Sequence, residues 1–199
     1  GYNANKTMTI AQKLYEEINI GSETVGLITY MRTDSTRLAD NFIDATKSFI
    51  KKNYGTNYVK TTATSTKKVK NAQEAHEAIR PSSVSRTPEE MKPYLKRDEL
   101  RLYKLIWERA VASLMKSATV EATTIEVRSN DYLFRVNGQV LVFDGYLRVY
   151  SYEETKNAAL PRLNVGDTLA LVDIEPQQHF TQPPARYSEA KLIKEMEEL

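Results

Sequence analysis

The sequence predicts an α+β protein: an N-terminal all-helical domain followed by an antiparallel β-rich unit with a terminal helix. Three observations predict it. Apolar residues recur at helical spacing up to about residue 116, and from about Ala118 the pattern switches to alternation. The charge balance changes at the same place: residues 1–116 hold 20 Lys/Arg against 13 Asp/Glu, a net of +7, and residues 117–199 hold 8 against 13, a net of −5. From Ser188 the spacing turns helical again. We therefore expect domains over 1–116 and 117–199, the first of them basic enough to meet a polyanion.

In the first half, Met8, Ala11, Leu14, Tyr15 and Ile18 mark an amphipathic helix over 7–18, ended by Gly21 and Ser22. Phe42, Ile43, Thr46, Phe49 and Ile50 mark a second over 39–53, stopped before Gly55. Residues 60–71 have no period and carry four lysines, as a basic loop would. Residues 71–81 read as a short helix that Asn71 caps and Pro81 ends, with His76 and Arg80 on one face. Thr87 and Pro88 open another helix to Leu95. The longest spans about 98–116, with Leu102, Leu105, Ile106, Ala110, Val111 and Leu114 inward. In the second half, 119–128, 132–136, 140–143, 146–152 and 168–175 read as strands, with a turn at Gly166-Asp167.

One stretch of the helical half departs from its surroundings. Gly26-Leu27-Ile28-Thr29 brings the chain to Tyr30, and Met31-Arg32-Thr33-Asp34 follows. In an extended segment Tyr30 and Arg32 share a face, while Met31 turns back toward the core. A phenol has an ordinary pKa of about 10, so a phenolate nucleophile needs a cation nearby. Arg32 can supply that charge, and its fork can hold two phosphate oxygens. His76, beside Arg80 in the basic half, is a second candidate for facing a phosphate. Glu74 and Glu77 flank it, but there is no HExxH pair and no third ligand nearby, so no metal is expected here.

The chain has no cysteine, which excludes a disulfide scaffold or a thiolate metal site and fits a reducing compartment. No apolar run approaches the roughly 20 residues that span a bilayer, and no signal-peptide pattern opens the chain. A cytoplasmic protein without a membrane partner is expected. Gly1 at the start, and a last helix still in register at Leu199, suggest a piece of a longer protein.

Several of these segments carry a family resemblance. Gln12-Lys13-Leu14-Tyr15-Glu16, followed after a spacer by Ile28-Thr29-Tyr30-Met31-Arg32-Thr33-Asp34, resembles the active-site signature of bacterial type IA DNA topoisomerases. Residues 71–81 (NAQEAHEAIRP) are similar to that family's histidine helix, and 102–107 (LYKLIW) to its long helix. Phe143-Asp144-Gly145 and the run from Gln178 to Ser188 resemble its β region. The likeness covers nearly the whole chain in the family's order.

The resemblance implies that 1–116 is the movable helical domain that presents the nucleophile, domain III, and 117–199 part of the β-rich arch, domain II. It implies Tyr30, Arg32 and His76 as catalytic residues, and Thr29, Thr33 and Arg80 as DNA-binding residues. The family's tyrosine attacks single-stranded DNA, forms a 5′-phosphotyrosyl ester and lets another strand pass before religation, so negative supercoils relax without ATP. Its Mg²⁺ is held by a toprim domain, which has no counterpart in this sequence. The implied partners are DNA, the toprim domain and the DNA-cradling domain of the same enzyme, with the protein a nucleoid-associated monomer. Alone, this chain is expected to bind single-stranded DNA weakly, bind no Mg²⁺ and leave DNA uncleaved. A non-enzymatic DNA-binding module would explain the charge asymmetry but not the Tyr30–Arg32 stretch or the His76 segment. A tyrosine recombinase would need its histidine and several arginines upstream of the tyrosine, where only Lys6 and Lys13 stand.

Overall fold

The computed structural model describes residues 2–31, 35–61, 76–152 and 158–198. The chain forms an α+β fold with two-stranded sheets and a terminal helix. It divides into two compact units: Gly1–Glu121 with Leu141–Lys156, and Ala122–Val140 with Asn157–Leu199.

The first unit is built on helices α1 (Ala4–Tyr15), α2 (Asp40–Asn53), α3 (Pro88–Met91) and α4 (Arg97–Ser113). Asn3 starts α1 by accepting the Lys6 amide at 2.8 Å. The helix buries Ile10, Ala11 and Leu14 against α4, while Met8, expected inward, stays about half exposed. Helix α2 buries Phe42, Thr46 and Ile50, as its spacing predicts. At α3 the Thr87 hydroxyl and the Glu90 carboxylate cap each other's amides, and the chain leaves the helix after Met91, short of the expected Leu95.

Helix α4 turns the expected face inward, with Leu105 as the exception, and adds two aromatic residues to it. Tyr103, Trp107, Ala110 and Val111 are buried, whereas Leu105 is exposed. The two aromatic rings can occupy the centre because their polar ends are satisfied there. Tyr103 Oη donates to the Arg86 carbonyl at 2.5 Å, and Trp107 Nε1 donates to the Val84 carbonyl at 3.0 Å. Burial also pushes the Tyr103 phenol pKa well above its ordinary value. Side chains of this size contribute about 1.5–3 kcal/mol each when fully buried, so this face of α4 anchors the unit.

A short antiparallel hairpin, β1 (Ile18–Asn19) and β2 (Thr24–Val25), interrupts the helices, pairing Ile18 with Val25 and Asn19 with Thr24. The helix expected over 71–81 is not formed in its described part, 76–81; 71–75 and the lysine-rich 62–70 lie outside the described residues. The physical reason is that its backbone groups are engaged elsewhere. The Ala78 amide donates to the Arg37 carbonyl at 2.7 Å, the Arg80 amide donates to Thr29 Oγ1 at 3.0 Å, and Pro81 bridges Ile28. Partners elsewhere in the same chain have replaced the i to i−4 ladder.

Strands β3 (Thr119–Ser129) and β4 (Tyr132–Phe143) form the second two-stranded sheet. They meet in a two-residue turn where Asn130 takes a positive φ of 51°. The two strands expected over 132–136 and 140–143 are one. Thr124 Oγ1 donates to Asn137 Oδ1 at 2.9 Å, carrying the pairing past the polar gap. Gly138 sits there because Ala158 passes so close that a Cβ would lie 2.4 Å from its carbonyl oxygen; Gln139 bridges Ala158.

The expected strand over 146–152 is instead a 3₁₀ turn, Gly145–Arg148. Its amides turn inward on nearby carbonyls: Tyr146 donates to Lys116 at 2.9 Å and Leu147 to Asp144 at 2.9 Å. Tyr58 Oη donates to Asp144 Oδ1 at 2.6 Å, and that bond to a carboxylate raises the Tyr58 pKa. In the second unit, 168–175 alternates in sequence but pairs with no strand among the described residues, while the turn at Gly166 is present. Helix α5 (Glu189–Glu198) begins one residue after Ser188. No helix among the described residues is long and apolar enough to cross a membrane.

Candidate active site

Tyr30 lies on a segment fixed from both sides. On one side the Leu27 and Ile28 amides donate to the Leu14 carbonyl, in the last turn of α1, at 2.8 and 3.3 Å. On the other, the Thr29 amide donates to the Arg80 carbonyl at 2.9 Å, and the Ser82 amide donates to the Leu27 carbonyl at 2.9 Å. Thr29 Oγ1 donates to the Ala78 carbonyl at 2.8 Å and accepts the Arg80 amide, so its hydroxyl is committed to the neighbouring segment. Ser82 Oγ donates to the Gly26 carbonyl at 2.7 Å. Residues far apart in sequence thus hold this short extended stretch like the middle of a sheet, though only the Ile28–Pro81 bridge has ladder geometry.

Alternation along this backbone turns Tyr30 and Met31 to opposite sides. Leu27, Ile28 and Met31 are buried, Met31 with 5% of its surface exposed, and Tyr30 points outward with 52% exposed. Among the described residues Tyr30 Oη has no hydrogen-bond partner. Its ring is not loose, however: the Tyr15 ring meets it edge to face at 5.4 Å and 62°. The close approach depends on Gly26, where a Cβ would stand 2.4 Å from the Tyr15 carbonyl oxygen. An exposed phenol oxygen on a braced backbone is well placed to attack a ligand arriving from solvent.

The other expected residues are placed as follows. Arg32 and Thr33 lie outside the described residues. His76 is half-buried, two residues before Ala78, whose carbonyl receives Thr29 Oγ1. The Arg80 guanidinium is turned inward. Its Nε and Nη2 both donate to Glu77 Oε2 at 2.8 Å, its Nη1 donates to the Pro81 carbonyl at 3.0 Å, and its plane lies 4.5 Å from the Phe42 ring centre. Sequence reading missed Tyr15 as a neighbour of Tyr30, and Glu77 and Phe42 as partners of Arg80. The signals for Tyr15 were its place at the end of a helix just upstream and its membership of the Gln12–Glu16 stretch in the resemblance. Among the described residues no three His, Asp or Glu side chains gather as a metal-ligand set, so these residues do not fit a metal centre and no step is assigned to one.

Over its whole length, residues 1–199, the chain matches the family model described as DNA topoisomerase. It belongs to that family, in its type IA branch. Among solved structures it is similar to full-length topoisomerase I from Thermotoga maritima, with 36% identity and a TM-score of 0.81. The match covers 100% of this chain and 32% of that one, so the chain spans about a third of that protein's length.

Proposed function

We propose that this chain supplies the nucleophile of a type IA topoisomerase reaction on single-stranded DNA. Tyr30 Oη attacks a backbone phosphorus, the P–O3′ bond breaks, and the strand is left joined to Tyr30 through its 5′ phosphate. The phenol's proton must leave, and the departing 3′ oxygen must gain one; His76 serves this exchange or contacts the phosphate. Arg32 stabilises the charge that builds on the phosphate oxygens. Thr29, Thr33 and the loop that carries Arg80 border the bound strand. Attack by the 3′-hydroxyl reverses the linkage. Because the ester keeps the energy of the original bond and an aryl oxide leaves readily, religation needs no ATP, and strand passage during the break relaxes negative supercoils.

The observation that supports this reading is the exposed phenol of Tyr30, its oxygen without a hydrogen-bond partner among the described residues and its backbone held on both sides. Residues 1–116 act as the movable domain III and 117–199 as part of the domain II arch. Mg²⁺ belongs to the toprim domain, with which this chain and the DNA-cradling domain work in a monomeric, nucleoid-associated cytoplasmic enzyme. Alone, the chain neither cleaves nor relaxes DNA.

The test is the polarity of the covalent link in the full-length enzyme with Mg²⁺. A short single-stranded oligonucleotide should leave label on the protein when labelled at its 3′ end and none when labelled at its 5′ end. Tyr30→Phe should abolish the adduct. Label retained from the 5′ end, or an adduct that survives Tyr30→Phe, contradicts the proposal.

A further inference from the structure

We infer that Arg80 is a positioning residue for the Tyr30 nucleophile rather than a phosphate contact, acting as a fixed junction between the Tyr30 segment, its own loop and α2. The inference rests on the function proposed for Tyr30.

Three observations carry it. First, Arg80 is only 9% exposed, although arginine is rarely buried unless paired. Second, its charge is matched and each of its three nitrogens has a partner: Glu77 takes Nε and Nη2 through one oxygen, the Pro81 carbonyl takes Nη1, and the Phe42 ring centre lies 4.5 Å from Cζ. Phe42 is itself buried in α2, so the guanidinium is tied to the core. Third, the Arg80 main chain grips the residue before the nucleophile from both directions. Its carbonyl accepts the Thr29 amide at 2.9 Å, and its own amide donates to Thr29 Oγ1 at 3.0 Å.

A phosphate taking the Nε–Nη2 edge of Arg80 in a bidentate grip would have to displace Glu77 and leave that carboxylate without its partner. The geometry favours a different use. Side-chain contacts to α2 and Glu77 fix where the Arg80 backbone lies, and that backbone fixes Thr29 and hence Tyr30. Glu77 follows His76 directly, so the same ion pair restrains both halves of the proposed site. Lysine could keep the charge but not the planar fork that fills this role.

The test separates binding from chemistry in the full-length enzyme, with Arg80→Lys and Glu77→Gln as the variants. Affinity and its salt dependence for single-stranded DNA are measured in a Tyr30→Phe background, and adduct formation with Tyr30 intact. A positioning role predicts that both variants keep the affinity and salt slope, and that both form adduct roughly ten- to a hundredfold more slowly. A phosphate contact predicts that Glu77→Gln tightens binding by freeing Arg80, and that removing the charge with Arg80→Gln lowers the salt slope by about 0.7; that result would overturn the inference. So would unchanged adduct rates in both variants. Thermal melts show which variants are folded at the assay temperature; should Arg80→Lys fail to fold, Glu77→Gln alone decides. If the unsubstituted enzyme forms no adduct at Tyr30, it is the functional reading that has failed, whatever these variants do.

Discussion

Gly26 decides how near the Tyr30 segment can come to α1. With any β-carbon at that position, 2.4 Å from the Tyr15 carbonyl oxygen, either the segment or the helix end must move. Overpacking of this kind costs about 1–3 kcal/mol. Gly26→Ala should therefore lower stability by that amount in denaturant titrations. It should also slow adduct formation at temperatures where the variant is still folded, because Tyr30 is carried by the displaced strand. Unchanged stability would mean the segment has slack that the structure does not show. At this scale some residues were legible in the sequence and others were not. The outward Tyr30 and inward Met31 follow from the twofold period of an extended chain, which needs only local information. The role of Arg80 was not legible, because its partners are set by hydrogen bonds to residues 51 positions away and by Phe42 on another helix.

The starts of α1 and α4 are joined through one carboxylate. Asp98, in the first turn of α4, accepts Tyr2 Oη at 2.8 Å and pairs with Lys6 Nζ at 2.7 Å. The Lys6 bond, then the Tyr2 bond, hold its pKa below the ordinary 3.8. A carboxylate whose pKa is lowered on folding adds stability above its unfolded value and loses it as pH falls through the folded one. Asp98→Asn should accordingly melt below the unsubstituted protein at neutral pH, and the gap should close as pH drops below about 4. A gap that does not narrow at all as pH falls below 3.8 would mean the effect is not one of charge. Elements themselves were legible where one face met one core, as in α1, α2 and the long α4. The described part, 76–81, of the helix expected over 71–81 and the strand expected over 146–152 depart from what their side-chain period suggests for a common reason. Both have the right side-chain period, but their amides find partners in other parts of the chain or in tight local turns.

On the scale of the whole molecule, the change of period near residue 118 and the α+β class were legible because they average over many residues. Pairing in the second unit was not: alternation in 168–175 says which side chains share a face, not whether a partner strand is present. The division of labour is likewise a property of the whole. The chain matches about a third of the Thermotoga maritima topoisomerase I; in the function proposed above it supplies the tyrosine, and the toprim domain binds Mg²⁺. The most direct measurement mixes this chain with a separately made toprim-containing remainder, Mg²⁺ and labelled single-stranded DNA. Labelled DNA should become covalently attached to this chain, dependent on the remainder and absent with Tyr30→Phe. No adduct on this chain, with the two parts shown to associate, would contradict the proposed function.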